Sequence, residues 1–385
     1  MTPWQRARYR VVVALERSAS QAIGLARLAE FTLGDVESVR LLLRGGSVID
    51  WHRLHFESPA EVERFLRVNE FRPEDERDMA RLEELRADAV EYLRANFSFR
   101  IPDEIADGMP ARDLMLVASQ KGRRQTFACI VLKVMHVFHH LAGRELLFKL
   151  PVSDNDIFHL VETKVVEVVE ALRAAGHAIN EFAWSRKERN SLITKLLAKK
   201  DSIAARVYDK LRFRLVVRET TDILPVLREL QHRLIPFNYV IPGETVNQLI
   251  PLAQLLRSGP LSHLLPQLQE EVRPDEEFAS PQNEFSGPGY QVVNFVADLP
   301  VRLDSFICQA GDPLYEEHGQ VVFVLTEFQV IDEKTAADNE RGENAHQRYK
   351  ERQHQRVKAR LTRGLKALRD DPTREIKPEK LIKPE

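Results

Sequence analysis

The chain has 385 residues, of which 43% are hydrophobic and 30% charged, and 56 Lys and Arg against 58 Asp and Glu leave a formal net charge of -2. That length is enough for two or three domains with ordinary cores. So even a balance excludes a molecule-wide attraction to nucleic acid or to an anionic membrane, and any such role needs a local patch.

Cys129 and Cys308 both sit in apolar surroundings and read as buried free thiols in a reducing compartment. The N-terminal MTPWQRARYR precedes only the short run VVVAL, too brief and too soon charged again for a secretory signal. No uninterrupted apolar stretch of bilayer length is read. A soluble, cytoplasmic protein is expected, with no membrane partner.

Residues 1–150 read as an all-helical domain of unknown role. Ser58-Pro59-Ala60-Glu61 has the pattern of a capping box with proline at the first helical position, opening a helix to about Val68. From Glu74 to Asn96, Leu82, Leu85, Ala89 and Leu93 line one stripe of a longer amphipathic helix. After a turn-rich break at Ile101–Pro110, an apolar helix is expected over Gln125–Leu141. His136, His139 and His140 lie on it, and the first and last have zinc-capable spacing. No acid or cysteine stands at metal-site spacing nearby, so they read as core or interface histidines. Ser153 caps a further helix, which Gly176 ends.

Residues 151–350 read as a second domain. After Trp184 a basic segment, SRKERNSLITKLLAKKDSIAARVYDK, leads into a strand at Leu211–Val217. A helix (Thr221–Leu234), a short strand (Phe237–Ile241), a variable segment (Gly243–Pro288) and strands at Tyr290–Val301 and Val321–Ile331 follow. Strands separated by helices predict an α+β domain, a sheet flanked by helices. The segment 243–288 is expected to be an inserted helix plus a flexible loop. Residues 351–385 are expected to form a basic helix over about Gln353–Arg369 and a disordered tail.

The candidate chemistry begins with Lys187, Ser191 and Lys195, which at four-residue spacing share one helical face that Lys199 extends. Such a row suits a polyphosphate; by spacing alone a solvated basic face is the commoner meaning. Asp209 stands at the mouth of the first strand, where an acid can hold Mg²⁺, and Arg214 lies within it, where a guanidinium can grip a phosphate or pair with Asp209. Glu327 and Gln329 leave the same face of an apolar strand, VVFVLTEFQVI. A carboxylate on a core strand needs a cation, a metal or a reacting proton, so Glu327 reads as metal ligand, as proton acceptor, or as a structural partner of an arginine. Tyr290, after Gly287-Pro288-Gly289, can stack on a base or simply pack as a strand aromatic.

These pieces occur in a recognisable order. Lys187, Ser191 and Lys195 match a K-x-x-x-S-x-x-x-K helix; DKLRFR carries Asp209 and Arg214 of a D-x-x-G-x-R motif. Gly289-Tyr290-Gln291 matches G-Y-Q, Glu327-Phe328-Gln329 matches E-x-Q, and Ala345, His346, Tyr349 and Lys350 match A-H-x-x-Y-K. From about Arg186 to Lys350 the chain resembles the synthetase domain of the RelA/SpoT family, the enzymes that make (p)ppGpp. The resemblance implies a nucleotidyltransferase-like mixed sheet flanked by helices. It implies transfer of pyrophosphate from ATP to the 3′-hydroxyl of a guanosine nucleotide with Mg²⁺. Asp209 would bind the metal, and Glu327 would help hold it or act as base. Lys187, Lys195 and Arg214 would neutralise ATP phosphates, with Ser191 on the same row. Tyr290 would stack on guanine, while Gln329, His346 and Lys350 would order the acceptor side. This chain departs from the family at Arg212 (for glycine), at Val292 and Asn294 (for serine and histidine) and at Ile331 (for arginine). No H-D dyad stands where the family's hydrolase domain has one. The departures leave open a changed acceptor, lowered activity, or a nucleotide-binding or interaction module without catalysis. The basic helix after Lys350 adds an RNA 3′ end as an alternative acceptor.

Overall fold

The computed structural model describes residues 23–44, 55–150, 152–187, 189–198, 211–268, 289–304, 313–341 and 346–369. In chain order the main elements are α1 (Leu33–Arg44), α2 (Pro59–Val68), α3 (Glu76–Phe97), α4 (Arg123–Lys149), α5 (Asp154–Ala174), β1 (Ile179–Arg186) and α6 (Arg189–Ala198). They continue with β2 (Leu211–Val217), α7 (Ile223–Arg233), β3 (Val246–Asn247), β4 (Val293–Arg302), β5 (Val321–Asp332) and α8 (His346–Arg369). The architecture is α+β, as expected: one five-stranded mixed sheet in the order β1-β2-β5-β4-β3 with helices packed on it.

Contacts divide the chain into two compact units. One comprises Met1–Arg186, Tyr208–Pro281 and Gln291–Ala337; the other comprises Lys187–Val207, Gln282–Tyr290 and Asp338–Glu385. The boundary expected at residue 150 therefore falls inside the first unit. The physical reason is a shared core: Val36, Leu42 and Leu146 bury with Val161, Phe213 and Phe328 in one cluster. The apolar face of the sheet is the surface the N-terminal helices need.

In the first unit, β2 and β5 pair in parallel, and the other neighbours are antiparallel. Alternation explains the layers. Leu211, Phe213 and Leu215 of β2, Val293 and Phe295 of β4, and Phe328 and Val330 of β5 are fully buried. On this face Phe182, Phe213, Phe328 and Phe295 form a stacked row across four strands, with successive ring centroids 6.0, 5.6 and 5.5 Å apart. Helix α5 covers it with the stripe Ile157, Val161, Val165, Val169 and Leu172, and α7 adds Val226, Leu227 and Leu230. Each such side chain contributes about 1.5–3 kcal/mol by burial.

Local signals hold at the helix ends. Ser58 accepts the Glu61 N–H, although the Glu61 carboxylate takes the N–H of Glu57 rather than of Ser58, so the box closes one residue early. Ser153 accepts the Asp156 N–H at 3.2 Å, and Gly176 follows α5 with φ 78. Leu82, Leu85, Ala89 and Leu93 of α3 bury against Val131, Leu132 and Met135 of α4 in a second cluster. Cys129 is buried there, and burial pushes its thiol up to about 11; Cys308 lies outside the described residues.

Three expectations are corrected. Strand β1 was not foreseen, because seven of its eight residues are exposed or half-buried and no apolar alternation marks an edge strand of this kind. The segment Phe237–Ile241 is a 3-10 turn at Phe237–Tyr239 with one bridge from Val240 to Ala297, since Pro236 opens a turn rather than a ladder. The segment from 243 supplies β3 as well as a helix at Leu252–Ser258, while residues 269–288 lie outside the described part.

Helix α4 is longer than expected and, by length and composition, apolar enough to cross a membrane, contrary to the sequence expectation. Here it serves as a core helix, with Val131, Leu132, Met135 and Leu146 buried. Gly143 lets it approach β5 closely: a Cβ there would lie 2.5 Å from both the Val321 carbonyl oxygen and the Phe323 ring. Gly143→Ala is expected to destabilise the protein by about 1–3 kcal/mol by overpacking, read as a lowered urea midpoint at unchanged slope.

In the second unit, α6 and α8 pack on one another through Ala198, Val357 and Tyr349. Arg360 donates to the Leu197 carbonyl at 2.5 Å.

Candidate active site on the polar face of the sheet

The same alternation that buries the phenylalanine row sends Arg212 and Arg214 of β2, Glu327 and Gln329 of β5, and Asn294 of β4 to the opposite face, where all five are half-buried. Register sets their neighbours: Arg212 beside Glu327, Arg214 beside Gln329, and Asn294 across from Gln329. Adjacent strands lie about 4.8 Å apart, so these side chains form one contiguous polar patch. Gln329 Nε2 donates to Glu327 Oε1 at 3.2 Å, and Glu327 makes no ion pair among the described residues. Glu327 thus stands on a largely buried strand, as expected, but is itself half-buried: Thr326 and Phe328 point into the core, and Glu327 points away from it. Asn294 Oδ1 is buried with no hydrogen-bond partner.

Of the expected site residues, the structure brings Arg214, Glu327 and Gln329 together. Asp209 lies outside the described residues, and with it the expected metal pairing to Glu327. Lys187, Ser191, Lys195, Tyr290, His346 and Lys350 belong to the second unit. Lys187 does not share a helix with Ser191 and Lys195, because β1 pairs as far as Arg186 and α6 starts only at Arg189. Tyr290 precedes β4, which begins at Val293 rather than at the G-Y-Q motif. His346 opens α8, and Lys350 follows one turn later, exposed. Among the departures from the family pattern, Arg212 and Asn294 join the polar patch, whereas Val292 and Ile331 are buried.

The far end of this face carries a cluster that was not foreseen. Asp298, two residues beyond Val296 on β4 and 3% exposed, accepts from His140 Nε2 at 2.7 Å and has Arg144 at 3.8 Å. The Tyr239 ring packs on His140 and Phe323, and burial together with the Asp298 charge holds its hydroxyl well above the usual phenol range. The signal was available: an acid on the apolar strand VNFVADLPVR is the same anomaly that singled out Glu327. His136 and His139 are core histidines. Burial is the main cause that pushes each down to about 3, so both are neutral, and His136 Nδ1 accepts from Asn238 Nδ2 at 3.1 Å.

No family model and no curated protein sequence matches the chain. Its fold is similar to solved small alarmone synthetases. One is small alarmone synthetase 1 from Bacillus subtilis bound to its product pppGpp, at 15% identity over 55% of this chain and 92% of that chain, with a TM-score of 0.27. Small alarmone synthetase 2 from the same organism gives 11% identity over 56% and 98% of the two chains, with a TM-score of 0.25. A GTP pyrophosphokinase family protein from Streptococcus pneumoniae gives 13% identity over 56% and 89%, with a TM-score of 0.27. Likeness at these scores decides nothing about the chemistry of this chain.

Proposed function

We propose that this protein is a cytoplasmic, Mg²⁺-dependent pyrophosphotransferase that moves pyrophosphate from ATP to the 3′-hydroxyl of a guanosine nucleotide. The observation that carries the reading is the patch on β2 and β5: a carboxylate, Glu327, that accepts from Gln329, with Arg212 and Arg214 on the adjacent strand in register with Glu327 and Gln329. The order of the five RelA/SpoT-like motifs along the chain supports it. Phosphoryl transfer needs positioning and charge neutralisation more than covalent chemistry, and this patch supplies both.

In this proposal Arg214 grips a phosphate in bidentate fashion, and Lys187, Ser191 and Lys195 keep the phosphate-binding roles that the RelA/SpoT resemblance gives them. Glu327 accepts the proton of the attacking 3′-hydroxyl or shares Mg²⁺ with Asp209. Mg²⁺ is held by one or two carboxylates plus substrate oxygens, not by an all-protein cage. The donor chemistry fits: Glu327 offers carboxylate oxygens, the hard donors that Mg²⁺ takes. Tyr290 stacks on guanine, and His346 and Lys350 order the acceptor. Incubation of the protein with γ-labelled ATP and GDP or GTP, with and without Mg²⁺, tests the proposal. Label on the guanosine nucleotide only with Mg²⁺ is expected. Label on RNA 3′ ends instead assigns RNA as acceptor, through the basic face of α8. No label on any acceptor rejects the enzyme.

One observation favours a second reading, nucleotide binding without turnover. Arg212 stands in register beside Glu327 where the resembled family has glycine. A guanidinium there competes with Mg²⁺ for the carboxylate. Arg212→Gly is then expected to raise transfer from an undetectable level. Tight ATP binding by calorimetry with no transfer by the unaltered protein supports a sensing module, and no gain of transfer in Arg212→Gly removes Arg212 as its cause.

A further inference from the structure

We propose that the first unit carries a second binding site, distinct from the polar face of the sheet, for a small organic anion with a flat apolar body. It occupies the cavity framed by the turn after α2, the start of α3, α4 and the facing ends of β4 and β5. The volume is about 380 Å³, large enough for a metabolite-sized ligand.

Three independent features point to a ligand. The first is the pairing of the charged groups on the wall. Arg302 is held by Asp78 at 2.6 Å, Arg81 pairs with Glu84 at 3.0 Å, and Glu70 pairs with Lys164. Arg77, exposed on the first turn of α3, makes no ion pair among the described residues, so it is the lining arginine whose guanidinium no carboxylate there holds.

The second feature is a concentration of orphaned polar atoms. Arg81 Nε, His139 Nε2 and Gln320 Oε1 are each buried without a hydrogen-bond partner, and all three residues line this cavity. His139 is 7% exposed. Buried polar groups are almost always satisfied, so three orphans around one cavity require an explanation. The set is complementary: an N–H of Arg81 for an anionic oxygen, and a carbonyl oxygen of Gln320 for a ligand donor.

The third is backbone strain. Glu70 holds φ 66, a left-handed conformation that suits glycine, on the rim of the cavity. Lys164 grips its side chain, and Arg302 donates to its carbonyl at 2.9 Å. Non-glycine residues persist in this region where the surroundings over-determine them, and they cluster at ligand sites. Phe71 and His139, with ring centroids 4.9 Å apart, supply an apolar aromatic wall. The ligand thus places a carboxylate or phosphate against Arg77 and Arg81, its body on Phe71, and a donor toward Gln320.

Calorimetric titration of the full chain with benzoate, phenyl phosphate and neutral benzamide tests the proposal without reference to nucleotide transfer. Saturable binding of at least one anion and none of benzamide is expected; which anion binds decides between carboxylate and phosphate. Arg77→Gln removes the free cation from an exposed position that the fold does not need. Arg81→Lys keeps the charge beside Glu84 but removes the Nε–H. Each is expected to weaken binding about tenfold at an unchanged thermal midpoint. Failure of all three probes to bind at millimolar concentration overturns the site, as does equal binding of benzamide or unaltered affinity in Arg77→Gln.

Discussion

Glu327→Gln is expected to lower pyrophosphate transfer by about 10²–10⁴-fold, the usual contribution of a positioned general base. The substitution keeps the shape of the side chain. Glu327 is half-buried, and its one hydrogen bond among the described residues, from Gln329 at 3.2 Å, has an amide substitute in the variant. The fold is therefore expected to survive, with a thermal midpoint within a few degrees of wild type. Label transfer from γ-labelled ATP, measured beside circular dichroism of the same preparation, is the check. A fall of less than about tenfold would remove Glu327 from the chemistry, since a base or metal ligand contributes more than that. Gln329→Ala separates orientation from chemistry. It frees the Glu327 carboxylate without deleting it, so a smaller loss than that of Glu327→Gln is expected.

Acidification is expected to destabilise the first unit strongly, through His136 and His139. Burial holds each at about 3, against an ordinary value of 6.5. Above 6.5 neither state takes a proton at these sites. Between 6.5 and about 3 only the unfolded chain does, so their contribution to stability falls as the pH falls through that window. From pH 7.5 to 5 each histidine removes about 2 kcal/mol of stability, or about 4 kcal/mol for the pair. Urea unfolding at the two values measures the loss. His136→Gln is expected to reduce it by about half, because the glutamine cannot titrate while its amide can still meet Asn238. A midpoint that does not move between pH 7.5 and 5, or a variant with the full pH response, would show that the two imidazoles are not held neutral in the fold.

Much of the local structure was legible from spacing. The leucine stripe of α3, the serine at the start of α5 and the glycine after it identify helices, because a helix advertises its buried face every third or fourth residue. Strands β2 and β5 were legible for the same kind of reason: LRFR and TEFQ alternate, and alternation specifies two faces. What alternation does not specify is which face meets the core. The apolar neighbours of Glu327 mark a core strand without saying which way its carboxylate faces, and Phe328 and Thr326 are the residues that point inward. Strand β1 and the pair Asp298–His140 were missed on opposite grounds. The former has too few apolar residues to signal a strand, and the latter joins residues 158 positions apart.

By itself the amino-acid order determined the helices, the two central strands, the α+β class and the sequence of RelA/SpoT-like motifs, since each depends on residues within a few turns of one another. Only the tertiary structure decided that helices before residue 150 share a core with the sheet, that Lys187 stands outside the helix of Ser191 and Lys195, and that Arg212 lies in register with Glu327. Those outcomes are set by strand register and by which apolar surfaces bury one another, and neither long-range choice leaves a periodic trace in the chain.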